Sequence, residues 1–242
     1  EARQLAVNLE RRRWLARGAP TTRIDVNTAA ATMVFYDGGE PAWTGRVVVG
    51  APKRSTPNMG GSFSRMVVNP PWTVPNSIAE EEILPKGAGY LRANNMVLVN
   101  NQVVQKPGPG TALGLVKFDM QNEHAIYLHD TPAKALFGAR ERHLSHGCVR
   151  VEKAVEFARF LAERDGAGQT FDEALASGRT EAVSLGTDIP VRLLYHSAWV
   201  DLEGRVKLGG DPYGWDARLA KALGLGGGAD GEPAPTQVVL GP

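Results

Sequence analysis

Glycine and proline interrupt this chain at short intervals, and that spacing constrains its fold more than any other feature. The 242 residues include 28 glycines and 16 prolines. Both residue types disfavour helix interiors and favour turns. Short strands joined by turns fit such a sequence better than long helices do. We therefore expect a strand-rich fold, mainly β with α (α+β), rather than a helix bundle.

Hydrophobic periodicity assigns helices and strands to the segments between these turns. Apolar residues at helical spacing predict the helices, and alternating or short apolar runs bounded by turn residues predict the strands. The predicted helices lie within residues 1–16, 149–166, 170–178 and 213–224; the strands are 23–27, 31–38, 43–50, 66–75, 112–120, 124–130 and 189–201; the loops are 51–65 and 131–144.

Residues 76–110 break the pattern of short strands. The segment is acidic at its start and then punctuated by glycine and proline. Long excursions of this kind are more often functional lids than filler, although an ordinary long loop is the alternative. We interpret 76–110 as an inserted capping lobe or flap within a catalytic domain of residues 1–223. Glycine, proline and alanine dominate 224–242, where we expect a flexible tail.

Charge and composition exclude several classes of function. The formal net charge is +1, which points to neither nucleic acid nor a polybasic membrane anchor. No run of eighteen apolar residues is present, so we expect no transmembrane segment in this chain. Because the chain starts at Glu1, we expect a processed or truncated product. A single cysteine permits no internal disulfide, and in an exported protein a free thiol needs a reason to persist.

The surroundings of Cys148, the only cysteine, indicate a nucleophile. The thiolate is the attacking species, and a free cysteine with a pKa of about 8.5 is mostly protonated at neutral pH. A nearby imidazole can accept the thiol proton. His146 shares a face with Cys148 if the chain is extended there, and His129 ends a predicted strand that would hold it rigidly. Gly147 permits a tight turn that leaves amide N–H groups to face an oxyanion.

Other interpretations of these residues remain open at this level. A lone cysteine is usually a small core residue. A cysteine with several histidines is also typical of zinc sites, although the chain has neither CxxC nor HExxH. We expect His143 on the surface of a loop, and structural or surface roles for His124 and His196.

A longer pattern resembles a known family. His129, fifteen intervening residues and then SHGCVR at 145–150 are similar to the signature of the L,D-transpeptidases, whose catalytic domain is of the YkuD type. The stretch STPNMGGSF is similar to the Thr-Pro/Gly loop of the family's early hairpin. The stretches VVNPPWTVP, GPGTALGLVKF and IYLHDTPAKALF resemble the larger Gram-negative branch, which carries a substrate-capping subdomain. The resemblance covers about residues 3–220. The insertion looks shorter than in the best-known members of that branch, so we expect a reduced cap. The last signature position, Asn or Arg in the family, is Arg150 here, which agrees with that branch but changes the local hydrogen bonding.

The resemblance implies a fold and a set of roles. The implied fold is a YkuD-type β-sandwich or mixed-sheet catalytic domain with an inserted capping lobe and flanking helices. We expect the main chain of Asp130 to orient the base, and Tyr127 to be core. The implied catalytic residues are Cys148 as nucleophile, His129 as general base, His146 in support and Gly147, with Cys148, as oxyanion donor; the implied substrate-binding residues are Arg150, Trp72 and Tyr90.

The resemblance also implies a reaction. Cys148 would attack the diaminopimelate carbonyl of a peptidoglycan tetrapeptide stem, release D-alanine and pass the acyl group to an amine of a second stem. No metal or cofactor is implied, carbapenems are the implied inhibitors, and the periplasm of a Gram-negative bacterium is the implied location. An L,D-carboxypeptidase or endopeptidase on the same fold would use water instead, and attachment of a lipoprotein lysine is a further outcome. A non-catalytic wall-binding or zinc-structured module is the alternative of another class.

Overall fold

The computed structural model describes residues 1–225; most of the predicted tail, 226–242, lies outside the described residues. Helices and strands combine in an α+β fold, as the sequence predicted. The chain divides into two compact units. The first unit comprises Glu1–Gly61, Ala139–Val149 and the described residues from Ile189, and the second comprises Ser62–Gly138 and Arg150–Asp188. Within residues 1–225, no helix is both long and apolar enough to cross a membrane.

The elements of regular structure are mostly short. The helices are α1 (Ala2–Arg13), α2 (Asn76–Ile78), α3 (Gly87–Ala93), α4 (Ala154–Arg164), α5 (Gly168–Ser177) and α6 (Trp215–Ala222). The strands are β1 (Arg23–Asn27), β2 (Thr32–Asp37), β3 (Glu40–Gly50), β4 (Met59–Val68), β5 (Trp72–Thr73), β6 (Met96–Val99), β7 (Gln102–Gln105), β8 (Val116–Phe118), β9 (Leu128–His129), β10 (His143–Ser145), β11 (Val149–Val151), β12 (Glu181–Leu194), β13 (Ala198–Val200) and β14 (Val206–Leu208).

The strands of the first unit pair in both directions. β2 is antiparallel to β1 and β3, with a tight turn where Asp37 pairs with Glu40. β1 runs parallel to the end of β12, and β10 runs parallel to β3. Alternate residues of β1 and β2 are buried, which is the pattern of strands with one face in the core. The first unit therefore contains mixed pairing, with β10 placed at the end of β3.

The second unit packs helices on antiparallel strands. β8 pairs with β4 on one side and β9 on the other, which confirms the predicted pairing of 112–120 with 124–130. α4 buries a face that includes Phe157. The Phe118 ring lies 5.4 Å from Phe63 and 5.6 Å from Phe157 between ring centroids. As predicted, Gly166 follows α4 with a positive φ of 76° that glycine adopts without strain. These contacts hold β9, and with it His129, in the core.

Residues 72–105 form a lobe with a small core of its own inside the second unit. β7 lies between β5 and β6 in a three-stranded sheet. α2 and α3 fall within the same stretch. The lobe core consists of Val74, Ala79, Ile83, Met96 and Val103. The predicted insertion is therefore folded rather than an open loop, and its role as a cap stays a prediction.

Several segments differ from the sequence prediction. Val149–Val151, within the predicted helix 149–166, form β11, and the predicted strand 66–75 is divided between β4 and β5. β4 starts at Met59, inside the predicted polar loop; Gly60 and Gly61 lower the strand propensity there, but tertiary pairing overrides it. β12 starts at Glu181 and ends at Leu194, so the predicted strand 189–201 is split between β12 and β13. The predicted loop 131–144 contains a 3₁₀ turn, Lys134–Gly138, and the start of β10.

Candidate active site

Cys148 lies in the short connection between β10 and β11. Its side chain is half-buried, so this thiol is not the fully buried core cysteine of the alternative interpretation. Gly147, just before it, has φ of +118°, a region that residues with a Cβ rarely adopt. Glycine is therefore required here, and we call residues 145–148 the cysteine turn.

The hydroxyl of Ser145 closes the cysteine turn. It donates to the carbonyl of Cys148 over 2.6 Å and accepts the Gly147 N–H over 3.1 Å. The amide of Gly147 thus already has an acceptor, which the sequence did not predict. The roles of Gly147 and Cys148 as oxyanion donors stay a prediction, and the Gly147 amide would have to leave Ser145 to take that role.

The cysteine turn is anchored to the end of β3 within the first unit. The Ala51 N–H donates to the Ser145 carbonyl over 2.8 Å. The hydroxyl of Thr56 donates to the Gly147 carbonyl over 2.7 Å and accepts the Gly50 N–H over 2.9 Å. Thr56 was not singled out by sequence reasoning, although it stands in the STPNMGGSF stretch that resembles the family.

His143 is buried on β10, so its prediction as loop surface is wrong. Nε2 lies 2.9 Å from the Thr28 carbonyl, and the ring meets Tyr213 edge-on at 5.6 Å between centroids. Burial lowers the pKa of His143, against the opposing effect of the Thr28 hydrogen bond and Glu141. His143 therefore belongs to the support of the cysteine turn. His146 is half-buried within the turn, and its supporting role stays a prediction.

His129 is buried at the end of β9 in the second unit, and its tautomer is fixed by its neighbour. Nδ1 lies 2.5 Å from the Asp130 carbonyl oxygen, which confirms the expectation that the main chain of Asp130 binds the ring. Because a carbonyl can only accept, Nδ1 carries the proton and Nε2 keeps the lone pair. Burial, then the charge of Arg150 and more weakly that of Lys117, lower the His129 pKa to about 3. The ring is therefore neutral at pH 7, the form that accepts a proton.

The carboxylate of Asp130 is engaged elsewhere. It forms an ion pair with Lys134 and accepts the Leu115 N–H over 3.0 Å. Glycine at position 114 leaves room for the Asp130 carboxylate, because a Cβ there would lie 2.3 Å from one of its oxygens. Asp130 thus contributes its carbonyl to His129 and its side chain to the structure.

Two cations act on His129 within the second unit. Arg150, predicted from the motif, and Lys117, which sequence reasoning missed, both lower the His129 pKa. Lys117 lies directly opposite His129 in the β8–β9 pair, so only the register could reveal it. Lys117 also pairs with Asp119 over 3.0 Å and stands 4.7 Å from the centre of the Tyr127 ring. Tyr127, expected in the core, is half-buried, and its ring contacts the imidazole edge-on.

Comparison with known proteins identifies the family. The sequence profile of the YkuD L,D-transpeptidase catalytic domain matches residues 21–191. A Haemophilus influenzae protein, provisionally named an L,D-transpeptidase, is 35% identical over 220 residues, covering 81% of this chain and 45% of its own length. This chain belongs to the YkuD family of L,D-transpeptidase catalytic domains. It spans less than half the length of that curated relative.

Similar solved structures are also L,D-transpeptidases. The catalytic domain of the Enterococcus faecium enzyme, acylated by ertapenem, is 13% identical, with 73% of this chain and 99% of that chain covered at a TM-score of 0.37. L,D-transpeptidase 3 of Mycobacterium tuberculosis, with a faropenem-derived adduct, is 12% identical, with 73% and 61% covered at a TM-score of 0.38.

The two aromatic residues expected to line a substrate groove lie in the lobe of this YkuD domain. Trp72 and Tyr90 are half-buried and pack against the lobe core. Lys86 stands 4.4 Å from the centre of the Tyr90 ring. Their contact with substrate stays a prediction. Among residues 1–225, no group of three or more His, Cys, Asp or Glu side chains is arranged to hold a metal ion.

Proposed function

We propose that this YkuD domain is a peptidoglycan L,D-transpeptidase that links two diaminopimelate residues through a thioester on Cys148. The observation that carries the proposal is family membership over residues 21–191, a range that contains the whole His129-to-Arg150 signature. The half-buried thiol on a turn closed by Ser145 supports it, because a nucleophile must be both accessible and held in place.

In the first step, Sγ of Cys148 attacks the carbonyl carbon of diaminopimelate, the third residue of a tetrapeptide stem. We assign the thiol proton to Nε2 of His129, since that nitrogen holds the lone pair. The amide of Cys148 would stabilise the oxyanion. As the C–N bond to D-alanine breaks, the imidazolium returns its proton to the leaving amine. The products are a thioester and free D-alanine.

In the second step, the side-chain amine of a second stem attacks the thioester carbonyl. His129 takes a proton from the attacking amine, a C–N bond forms and the C–S bond breaks. The thiolate of Cys148 then recovers the proton. The net result is one cross-link and one D-alanine released, and no cofactor is consumed.

Substrate recognition and location belong to the same proposal. Stem peptides end in carboxylates, and a guanidinium binds a carboxylate through two parallel hydrogen bonds. We assign that role to Arg150. The lobe would exclude water and so favour an amine acceptor, with Trp72 and Tyr90 as walls of the groove. Because peptidoglycan lies in the cell envelope, we propose a periplasmic location.

The decisive experiment is a product profile with purified tetrapeptide muropeptides. We expect free D-alanine and a cross-linked dimer from the wild-type chain and neither from Cys148→Ala, with both proteins showing the same circular dichroism spectrum. Retained activity in Cys148→Ala would refute the assignment of the nucleophile. A tripeptide monomer in place of the dimer would show the carboxypeptidase instead, and binding without turnover would show a wall-binding module.

Carbapenem exposure gives an independent test of the thiol. We expect mass spectrometry after meropenem treatment to show one adduct, on the peptide that contains Cys148. Absence of the adduct in a folded wild-type protein would count against an acylable nucleophile.

A further inference from the structure

The peptide bond between Gly147 and Cys148 is held by a side chain from far away in the sequence. Thr56 is fully buried, and its hydroxyl donates to the Gly147 carbonyl over 2.7 Å. All of these residues lie in the first unit. The contact therefore acts on the backbone next to the nucleophile without touching the thiol.

The planarity of the peptide group extends this contact to the Cys148 amide. In a trans peptide, the C=O of one residue and the N–H of the next point in opposite directions. Fixing the Gly147 carbonyl therefore fixes the direction of the Cys148 N–H. Glycine alone would not do so, since Gly147 lacks a Cβ to restrict rotation on its side of the peptide. An outside partner is needed, and Thr56 supplies it.

Thr56 is itself held from two sides. Its Oγ1 accepts the Gly50 N–H over 2.9 Å. Its own N–H reaches the hydroxyl of Tyr213 at 3.4 Å, and that hydroxyl donates to the Gly50 carbonyl over 2.8 Å. A Cβ on Gly50 would lie 2.2 Å from the Arg54 carbonyl, so only glycine lets the chain fold back this closely. The position of Thr56 is thus set before any substrate binds.

We propose that Thr56 is a positioning residue that aims the Cys148 amide at the oxyanion formed during acylation. The inference rests on the proposed function, because it needs an acyl transfer at Cys148. It predicts that the Thr56 hydroxyl matters for attack on a carbonyl. It also predicts that the hydroxyl matters little for a reaction of the Cys148 thiol in which no oxyanion forms.

The test compares two reactions of Cys148 in the whole chain. Meropenem acylation passes through an oxyanion, whereas alkylation by iodoacetamide is a displacement at carbon that does not. Thr56→Val keeps the shape of the side chain and removes the hydroxyl; Thr56→Ser keeps the hydroxyl. Thr111→Val is the matched control, because Thr111 is also buried and donates to one backbone carbonyl, that of Lys106, over 2.9 Å.

We expect Thr56→Val to slow acylation and kcat by about 10–100-fold, less than the 10²–10³-fold for deleting an oxyanion donor outright. KM and the alkylation rate should stay within about twofold of the control, since neither involves the oxyanion. Thr56→Ser should restore acylation. Tyr213→Phe removes the hydroxyl that supports Thr56, so it should also slow acylation, by a smaller factor. This variant replaces Thr56→Val in the test if Thr56→Val does not fold.

Equal acylation by Thr56→Val and Thr111→Val would overturn the inference, as would a parallel loss of acylation and alkylation. Either result would overturn only the inference and not the proposed function, because the wild-type chain would still release D-alanine. A wild-type chain that neither forms the adduct nor turns over muropeptide would overturn the proposed function and the inference with it.

Discussion

The imidazole of His129 donates its Nδ1 proton to the backbone carbonyl of Asp130, the next residue in the chain. A carbonyl fixes the ring as well as a carboxylate would, but it adds no negative charge to stabilise an imidazolium. The charges that act on His129 come from the cations Arg150 and Lys117. The resting imidazole is therefore neutral, and in the proposed reaction it would take its proton during the chemical step.

Burial of neutral His129 makes stability depend on pH in a defined window. Its pKa is about 3 in the folded chain against an ordinary 6.5, so between these values the unfolded chain binds more protons. This contribution to the free energy of unfolding is fully present above pH 6.5 and is lost as the pH falls towards 3; it is about 5 kcal/mol. His196, with a pKa lowered to about 4 chiefly by burial, acts in the same direction.

We expect urea unfolding at pH 7, 5.5 and 4 to show a steep loss of free energy in the wild-type chain. The slope should be shallower in His129→Gln, which has no group to titrate there. His124→Gln is the control, because His124 is exposed and should leave the slope unchanged. Identical slopes for the wild-type chain and His129→Gln would contradict the prediction.

The effects of the two cations on the His129 pKa can be separated by removing each charge in turn. Arg150 lowers the His129 pKa more than Lys117 does. We expect Arg150→Gln to raise the His129 pKa, measured by NMR titration of the ring, by more than Lys117→Gln does. Arg179→Gln, a change at an exposed arginine, should leave it unaltered. A lower His129 pKa in Arg150→Gln than in the wild-type chain would refute the prediction that the charge of Arg150 lowers this pKa.

Ser145 closes the cysteine turn with two hydrogen bonds that alanine cannot make. Ser145→Ala leaves the Cys148 carbonyl and the Gly147 N–H without this partner, which should cost about 1–3 kcal/mol of unfolding free energy. We expect meropenem acylation to slow by about tenfold or more, since misplacement of a catalytic group is costly. Ser145→Thr should keep most of the activity. Ser177→Ala is the control, because it removes a hydroxyl that donates to the Ala174 carbonyl and should leave acylation unchanged. Equal acylation rates for Ser145→Ala and Ser177→Ala would contradict the prediction.

The lobe should unfold separately when its own core is weakened. Val103 is almost fully buried in the lobe core, and Val103→Ala should cost about 2 kcal/mol through lost burial and the cavity left behind. We expect hydrogen exchange to accelerate in residues 72–105 while β8 and β9 stay protected. Val116→Ala on β8 should instead weaken protection in the strands of the second unit.

The same variant tests whether the lobe excludes water. With Val103→Ala, we expect the ratio of hydrolysed tripeptide to cross-linked dimer to rise, as solvent competes with the amine acceptor. An unchanged ratio, together with faster exchange in 72–105, would show that the lobe does not control the acceptor.

The sequence by itself determined the features that depend on neighbours along the chain. The helical face within 149–166, its glycine stop and the pairing of 112–120 with 124–130 are local patterns that the structure confirms. Their bounds are narrower than predicted, because Val149–Val151 form β11 and the paired strands are only β8 and β9. The SHGCVR signature is also a local pattern, and the roles of its residues stay a prediction. The assignment of the Asp130 main chain to His129 also follows from adjacency. Local propensity and short spacing suffice for such features because they need no knowledge of packing.

Only the tertiary structure decided which distant groups meet. Thr56 contacts Gly147 across 91 positions, Lys117 faces His129 through the β8–β9 register, and His143 is buried against Tyr213 rather than on a loop surface. None of these follows from residue spacing. Register and long-range hydrogen bonds are set by how whole elements pack, because each contact gains only about 1 kcal/mol and must satisfy all of its neighbours at once.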